Sequence, residues 1–168
     1  MSEVPRLLEA NKAFAESFDK GDLQIPPSRG VVVLTCIDAR IDPATMLGLE
    51  LGEAHFLRNA GGRATDDAIR SVTISSWLLG TREFLVIHHT DCGMTKFTDD
   101  VLHEKIRDET GADVSGDEYL SFSDVDESVR EDVARLRDVK TLPDGVTVSG
   151  YVYDVRTGTL REVERPSS

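Results

Sequence analysis

Val31-Val32-Val33-Leu34-Thr35-Cys36 is a continuous, mostly β-branched run with no polar alternation. Such a run predicts a strand covered on both faces, as in a parallel sheet. Phe84-Leu85-Val86-Ile87 reads the same way and leads into His88-His89-Thr90-Asp91-Cys92-Gly93. Between these runs, Asp42 before Pro43 predicts an N-cap and a short helix through Leu47, and residues 54–58 a weaker strand. Asn59-Ala60-Gly61-Gly62 reads as a tight loop with two residues free to take positive φ. Thr65 caps a helix to Gly80, with Ile69, Val72, Thr73, Ser76, Trp77 and Leu79 on a mainly apolar face. Further on, Thr98 starts a helix ended by Gly111, and Ser123 with Asp124 caps another reaching about Lys140. The polar stretch 112–121 between them reads as a surface excursion, and Asp99, Asp100, Glu104, Asp108 and Glu109 as a solvated face. The tail 146–163 alternates around Thr157-Gly158, as a hairpin or edge strand does. Strands alternating with helices predict an α/β fold: a mainly parallel central sheet flanked by helices. Ligands of such sheets bind beyond the strand C-termini, where both cysteines fall.

The 168 residues, 39% of them apolar, suffice for a single domain, 1–168, with one core. An N-terminal helical arm is expected within 1–25, where Leu7, Ala10, Phe14 and Phe18 form a narrow apolar stripe that needs a surface to lie on. Nineteen basic against 31 acidic residues leave a formal charge of −12, which repels nucleic-acid phosphates and anionic lipid. No run approaches the roughly 20 apolar residues of a membrane span, and the first residues lack the basic-then-apolar order of an export signal. The expectation is a cytoplasmic protein with no nucleic-acid and no membrane partner.

Cys36 and Cys92 are the only cysteines, too few for a disulfide framework in a reducing compartment. With His89 they form a Cys₂His set of Zn²⁺-preferring ligands, one short of a closed tetrahedron and so leaving a place for water. The ordinary alternative is two buried thiols acting as small hydrophobes and a hydrogen-bonded strand-end histidine. His88, by alternation, points to the face opposite His89. In Cys36-Ile37-Asp38-Ala39-Arg40, an extended chain would put Asp38 and Arg40 on the side of the cysteine. A carboxylate there either accepts a hydrogen bond from a metal-activated water or closes the fourth metal position itself. A paired arginine would hold it off, unless the two are a plain surface ion pair.

Together, Cys36-Ile37-Asp38-Ala39-Arg40, Arg58-Asn59-Ala60-Gly61 and His89-Thr90-Asp91-Cys92-Gly93 resemble the motifs of the β-class carbonic anhydrases, particularly the short forms of some archaea and actinobacteria. The family's usual serine is Ala39 here. The resemblance implies that Cys36, His89 and Cys92 bind Zn²⁺, that Asp38 and Arg40 form a gating pair, and that Gly93 lies close to the metal. It further implies that Asn59, Gly61 and Gly62 shape the cleft, and that the helical arm embraces a second subunit in a homodimer or dimer-based oligomer. The expected activity is reversible hydration of carbon dioxide, a small-molecule substrate, to bicarbonate and a proton, climbing on the alkaline side if Asp38 can block the metal. Carbonyl sulfide or carbon disulfide hydrolysis suits the same site. A non-catalytic zinc or redox-sensing role for Cys36 and Cys92 would not need Asp38 and Arg40. His55, His88 and His103 read as structural or exposed rather than as proton shuttles.

Overall fold

Five of the six residues of β1 (Val31–Cys36) are buried, because the strand lies inside a five-stranded sheet with a neighbour on each side. The computed structural model describes residues 2–167. Around β1, the chain runs through α1 (Val4–Glu16), α2 (Pro43–Leu47), β2 (Ala54–Asn59), α3 (Asp66–Leu79), β3 (Glu83–His89), α4 (Asp99–Thr110), α5 (Val125–Arg137), β4 (Thr147–Tyr153) and β5 (Leu160–Ser167). The sheet order is β2-β1-β3-β4-β5; the first four strands are parallel and β5 is antiparallel to β4. After β1 the chain goes to one side of it to make β2 and then crosses to the other side to make β3. The C-terminal ends of β1 and β3 therefore border the point where strand order reverses, the place where such sheets leave a crevice.

The expected helix starts are made by the expected side chains. Asp42, Thr65, Thr98 and Asp124 accept hydrogen bonds from the backbone N–H groups of Thr45, Ala68, Val101 and Glu127. α5 stops at Arg137 rather than near Lys140, where the Val139 N–H turns back to the Leu136 carbonyl.

The main core lies on one sheet face. Val32 and Leu34, Phe84 and Val86, and Val148 and Val152 pack against Ala68 and Val72 of α3 and Val129, Val133 and Leu136 of α5. Each such side chain contributes about 1.5–3 kcal/mol of transfer free energy. α3 turns inward most of the face its sequence suggests, with Val72 and Ser76 buried and Ile69 against the core, but not Trp77. Trp77 is exposed, its indole N–H donating to the Thr141 carbonyl, while Ser75 and Ser76 are buried. The Ser75 and Thr81 hydroxyls bond each other, and Ser75 also meets His55 Nδ1, so burial leaves these hydroxyls satisfied.

The alternating tail is a hairpin, but its first arm is an interior strand: β4 pairs in parallel with β3, and only β5 is the edge. Gly150 allows α5 to approach it, since a Cβ there would stand 2.5 Å from Val129 Cγ1. α1 buries no side chain against the described residues of its own chain: none of its residues is buried, and Leu7, Phe14 and, just beyond the helix, Phe18 are exposed. No helix among the described residues is long and apolar enough to cross a membrane.

Candidate active site and metal centre

Cys36 ends β1, His89 ends β3, and Cys92 follows in the turn after β3. All three are buried, and one ligand atom from each lies within 4.8 Å of the others. The His89 Nδ1–H donates to the Thr90 carbonyl at 2.9 Å, which fixes the tautomer and leaves a lone pair on Nε2. That Nε2 is buried without a hydrogen-bond partner. A buried acceptor is costly to leave unmet, and a cation beside two sulfurs satisfies it.

The thiols bear this out electrostatically. A hydrogen bond from Cys92 pushes the Cys36 thiol down to about 4 against the opposing effect of burial, with help from His89 and the backbone N–H groups of Asp38 and Gly61. The same sharing, with burial, pushes the Cys92 thiol up. Each sulfur, once ionised, thus makes it harder for the other to ionise as well, and a dication at that place would let both ionise. These residues fit a metal.

Asp38 and Arg40 meet through a turn rather than along an extended strand. The Arg40 N–H donates to Asp38 Oδ1 at 2.9 Å and the Ile41 N–H to the Asp38 carbonyl at 3.0 Å. This folds Arg40 back so that Nε and Nη2 donate to Oδ1 and Oδ2 at 2.9 and 2.7 Å, a bidentate grip. Asp38 Oδ2 stands 3.8 Å from His89 Nε2, and the guanidinium holds the carboxyl well below the usual carboxylate range. The far edge of Arg40 reaches Asp91, with Nη1 to Oδ2 at 3.1 Å and Nη2 to the backbone carbonyl at 3.0 Å. Arg58 fixes the chain just after β1 by donating to the carbonyls of Cys36 and Asp38.

The loop beside the cluster is held at its ends by Asn59, whose side chain exchanges hydrogen bonds with the Arg63 backbone at 2.7 Å in both directions. Gly61 and Gly62 have φ of 78° and 72°, and a Cβ on Gly62 would stand 2.9 Å from the backbone carbon of Thr35. Only glycine lets the loop lie this close to the chain carrying Cys36. Gly93 opens the short 3₁₀ turn after Cys92, with free space on its Cα. Apolar walls come from Ile41 and Met94, backed by Met46, Phe97, Phe122 and Tyr153.

Behind the loop sits a buried ionic network that no local pattern announces. Arg63 Nε is 2.8 Å from Asp132 Oδ2, which also lies 3.2 Å from His88 Nε2. His88 does face away from His89, bonding Ser128 and approaching the Gly62 carbonyl. His55 bonds Ser75 and His103 the Asp117 carbonyl, so all three histidines are engaged away from the cluster. A cavity of about 650 Å³ lined by Phe122, Ser128 and Glu131 lies on this side too, and none of Cys36, His89 or Cys92 lines it.

Asp99, read from sequence as part of a solvated face, instead gathers the N–H groups of Tyr119, Leu120 and Ser121 at 2.8–3.2 Å. Burial works to raise its pKa, but the hydrogen bonds from Ser121, Tyr119 and Leu120 win and hold it below its ordinary value. The sign follows: a depressed carboxyl contributes stability above its ordinary pKa and loses it as pH falls through the folded value. Amide exchange at Tyr119–Ser121, corrected for intrinsic rates, should therefore accelerate below about pH 4, and Asp99→Asn should show that acceleration already at neutral pH. Unchanged protection in Asp99→Asn would remove this anchor.

A model of the carbonic anhydrase family matches residues 31–160. The chain is 46% identical over 163 residues to β-carbonic anhydrase 1 of Mycobacterium tuberculosis, covering 97% of this chain and 99% of that protein. It is 36% identical to a carbon disulfide hydrolase of Saccharolobus solfataricus, over 82% of this chain and 79% of the relative. Among solved structures, a carbonic anhydrase of Streptococcus mutans superposes with a TM-score of 0.93 at 44% identity, covering 98% of this chain and 99% of the other.

Proposed function

The chain belongs to the β-carbonic anhydrase family, and from that premise we propose that Cys36, His89 and Cys92 hold a zinc ion while Asp38, oriented by Arg40, serves the reversible hydration of carbon dioxide. The observation that carries this reading is the convergence of two sulfurs on a buried imidazole nitrogen with no protein partner. When bound, zinc supplies Lewis acidity, bringing the pKa of a water from 15.7 to about 7 so that its proton leaves near neutral pH. Two thiolates weaken that acidity, and the residues around the site make up the difference.

Asp38, ionised throughout the working range, accepts the hydrogen bond of the attacking oxygen and so aligns its lone pair toward the substrate carbon. Arg40 grips both carboxylate oxygens, which keeps Asp38 oriented and off the metal corner. Arg58 holds the backbone of Cys36 and Asp38, while Asn59, Gly61 and Gly62 set the cleft wall against β1. Gly93 leaves room beside Cys92. Ile41, Met94 and Phe122 supply an apolar surface suited to a small linear molecule. The uncovered stripe of Leu7, Phe14 and Phe18 supports a homodimer in which the arm lies on a second copy. Free thiols and the acidic composition support a cytoplasmic location.

Metal analysis joined to stopped-flow hydration from mildly acidic to alkaline pH tests the reading, with carbonyl sulfide and carbon disulfide assayed in parallel. Stoichiometric zinc and a hydration rate climbing with pH are expected. Zinc-loaded protein that leaves carbon dioxide untouched, or that turns over only the sulfur analogues, would overturn it.

A further inference from the structure

The Arg40 guanidinium is held by two edges. Its Nε–Nη2 edge faces Asp38, and its Nη1–Nη2 edge faces Asp91. One nitrogen, Nη2, bridges them, donating to Asp38 Oδ2 at 2.7 Å and to the Asp91 carbonyl at 3.0 Å. Asp38 Oδ2 is the oxygen that stands 3.8 Å from His89 Nε2, so a movement of Nη2 is passed directly to the carboxylate oxygen at the cluster. Asp91 is itself braced from behind, with Lys96 Nζ 3.0 Å from its Oδ1. The result is a row of alternating charge, Asp38–Arg40–Asp91–Lys96, which joins the chain just after β1 to the turn between His89 and Cys92.

The backbone at Asp91 supports a role beyond that of a surface acid. Its φ of 53° lies in the left-handed region, which among non-glycine residues Asn and Asp tolerate best. This places its carboxylate and its carbonyl on the same guanidinium edge. Arg40 and Asp91 are 45% and 48% exposed, so the pair adds little stability. Its consequence is positional: held at Asp38 alone, a long exposed arginine would let the Asp38–Arg40 pair swing as a unit.

We propose that Asp91 is a positioning residue for the hydration reaction, anchoring Arg40 from the side opposite Asp38 so that the Asp38 carboxylate is held in one orientation beside the metal ligands. This rests on the role assigned to Asp38 above. Asp91→Asn is the discriminating variant, since asparagine keeps the left-handed backbone and the shape while removing the charge.

The test compares zinc-loaded wild type, Asp91→Asn, Arg40→Gln and the double variant by stopped-flow hydration, with zinc content and Tm as controls on folding. Asp91→Asn should lower kcat about five-fold with KM little changed, the upper end for an exposed ion pair. In the Arg40→Gln background it should cost nothing further. Nitrogen-15 NMR of the Arg40 Nε–H should show faster hydrogen exchange in Asp91→Asn than in wild type. Lys96→Gln, which leaves the ligand turn untouched, should repeat both effects at smaller size and covers the case in which Asp91→Asn folds poorly. Equal losses with and without Arg40, or an unaltered Arg40 signal, overturn the proposal. A zinc-loaded wild type with no hydration would instead sink the reading it rests on, and the Arg40 signal would still decide whether Asp91 is the anchor.

Discussion

Cys92→Ser protein is expected to come off purification with almost no zinc and with carbon dioxide hydration reduced more than about 10³-fold, because water activation depends on the metal. Serine is close in shape but its hydroxyl stays protonated, and the remaining Cys36 and His89 are too few to hold zinc in competition with buffer. The serine hydroxyl can still donate to Cys36 as the Cys92 thiol does, so what the variant loses is the second anionic sulfur rather than the hydrogen bond between the two positions. The variant should also melt lower than the zinc-loaded parent, as a ligand that binds only the folded state stabilises it. Metal-to-protein ratio, hydration rate and Tm together check this. A Cys92→Ser protein that keeps stoichiometric zinc and half the parental rate would show that the cluster is not the metal centre.

Asp38→Asn should retain its zinc yet lose about 10²–10³-fold in kcat, the range seen when one preorganised hydrogen-bonding group is removed from a transition state. The substitution is nearly isosteric, and the Asp38 side chain is only 16% exposed, so gross rearrangement is not expected. What changes is chemistry. An amide offers one acceptor where the carboxylate offered two, and its NH₂ would meet an Arg40 donor head-on. In either orientation the amide loses one arm of the bidentate grip, and with its NH₂ in the place of Oδ2 it also faces the cluster with a group that cannot accept the proton of the attacking oxygen. Zinc content and stopped-flow rates measured on the same preparation separate this from metal loss. Rates within two-fold of the parent would take Asp38 out of the reaction.

What was legible in the residues was what short-range physics controls. The unbroken run at 31–36 can only be a strand covered on both faces, and Asp42, Thr65, Thr98 and Asp124 cap helices because each satisfies an N–H three residues on. Cys36, His89 and Cys92 were legible because their chemistry is unusual and strand ends of a parallel sheet converge. Tertiary structure alone decided the rest. β4 looked like half of an edge hairpin, and is an interior strand because its other edge pairs in parallel with β3, with α5 covering its face at Gly150. Trp77 was turned outward while Ser75 went in, since a hydroxyl that finds partners can be buried without penalty. Arg40 reaching Asp91, Arg63 reaching Asp132 and Asp99 gathering the loop at 119–121 join residues 51, 69 and about 20 positions apart. Such contacts carry no periodicity or spacing signal, because the energy of an ion pair or a gathered set of N–H groups depends on where the folded chain brings them and not on their order along it.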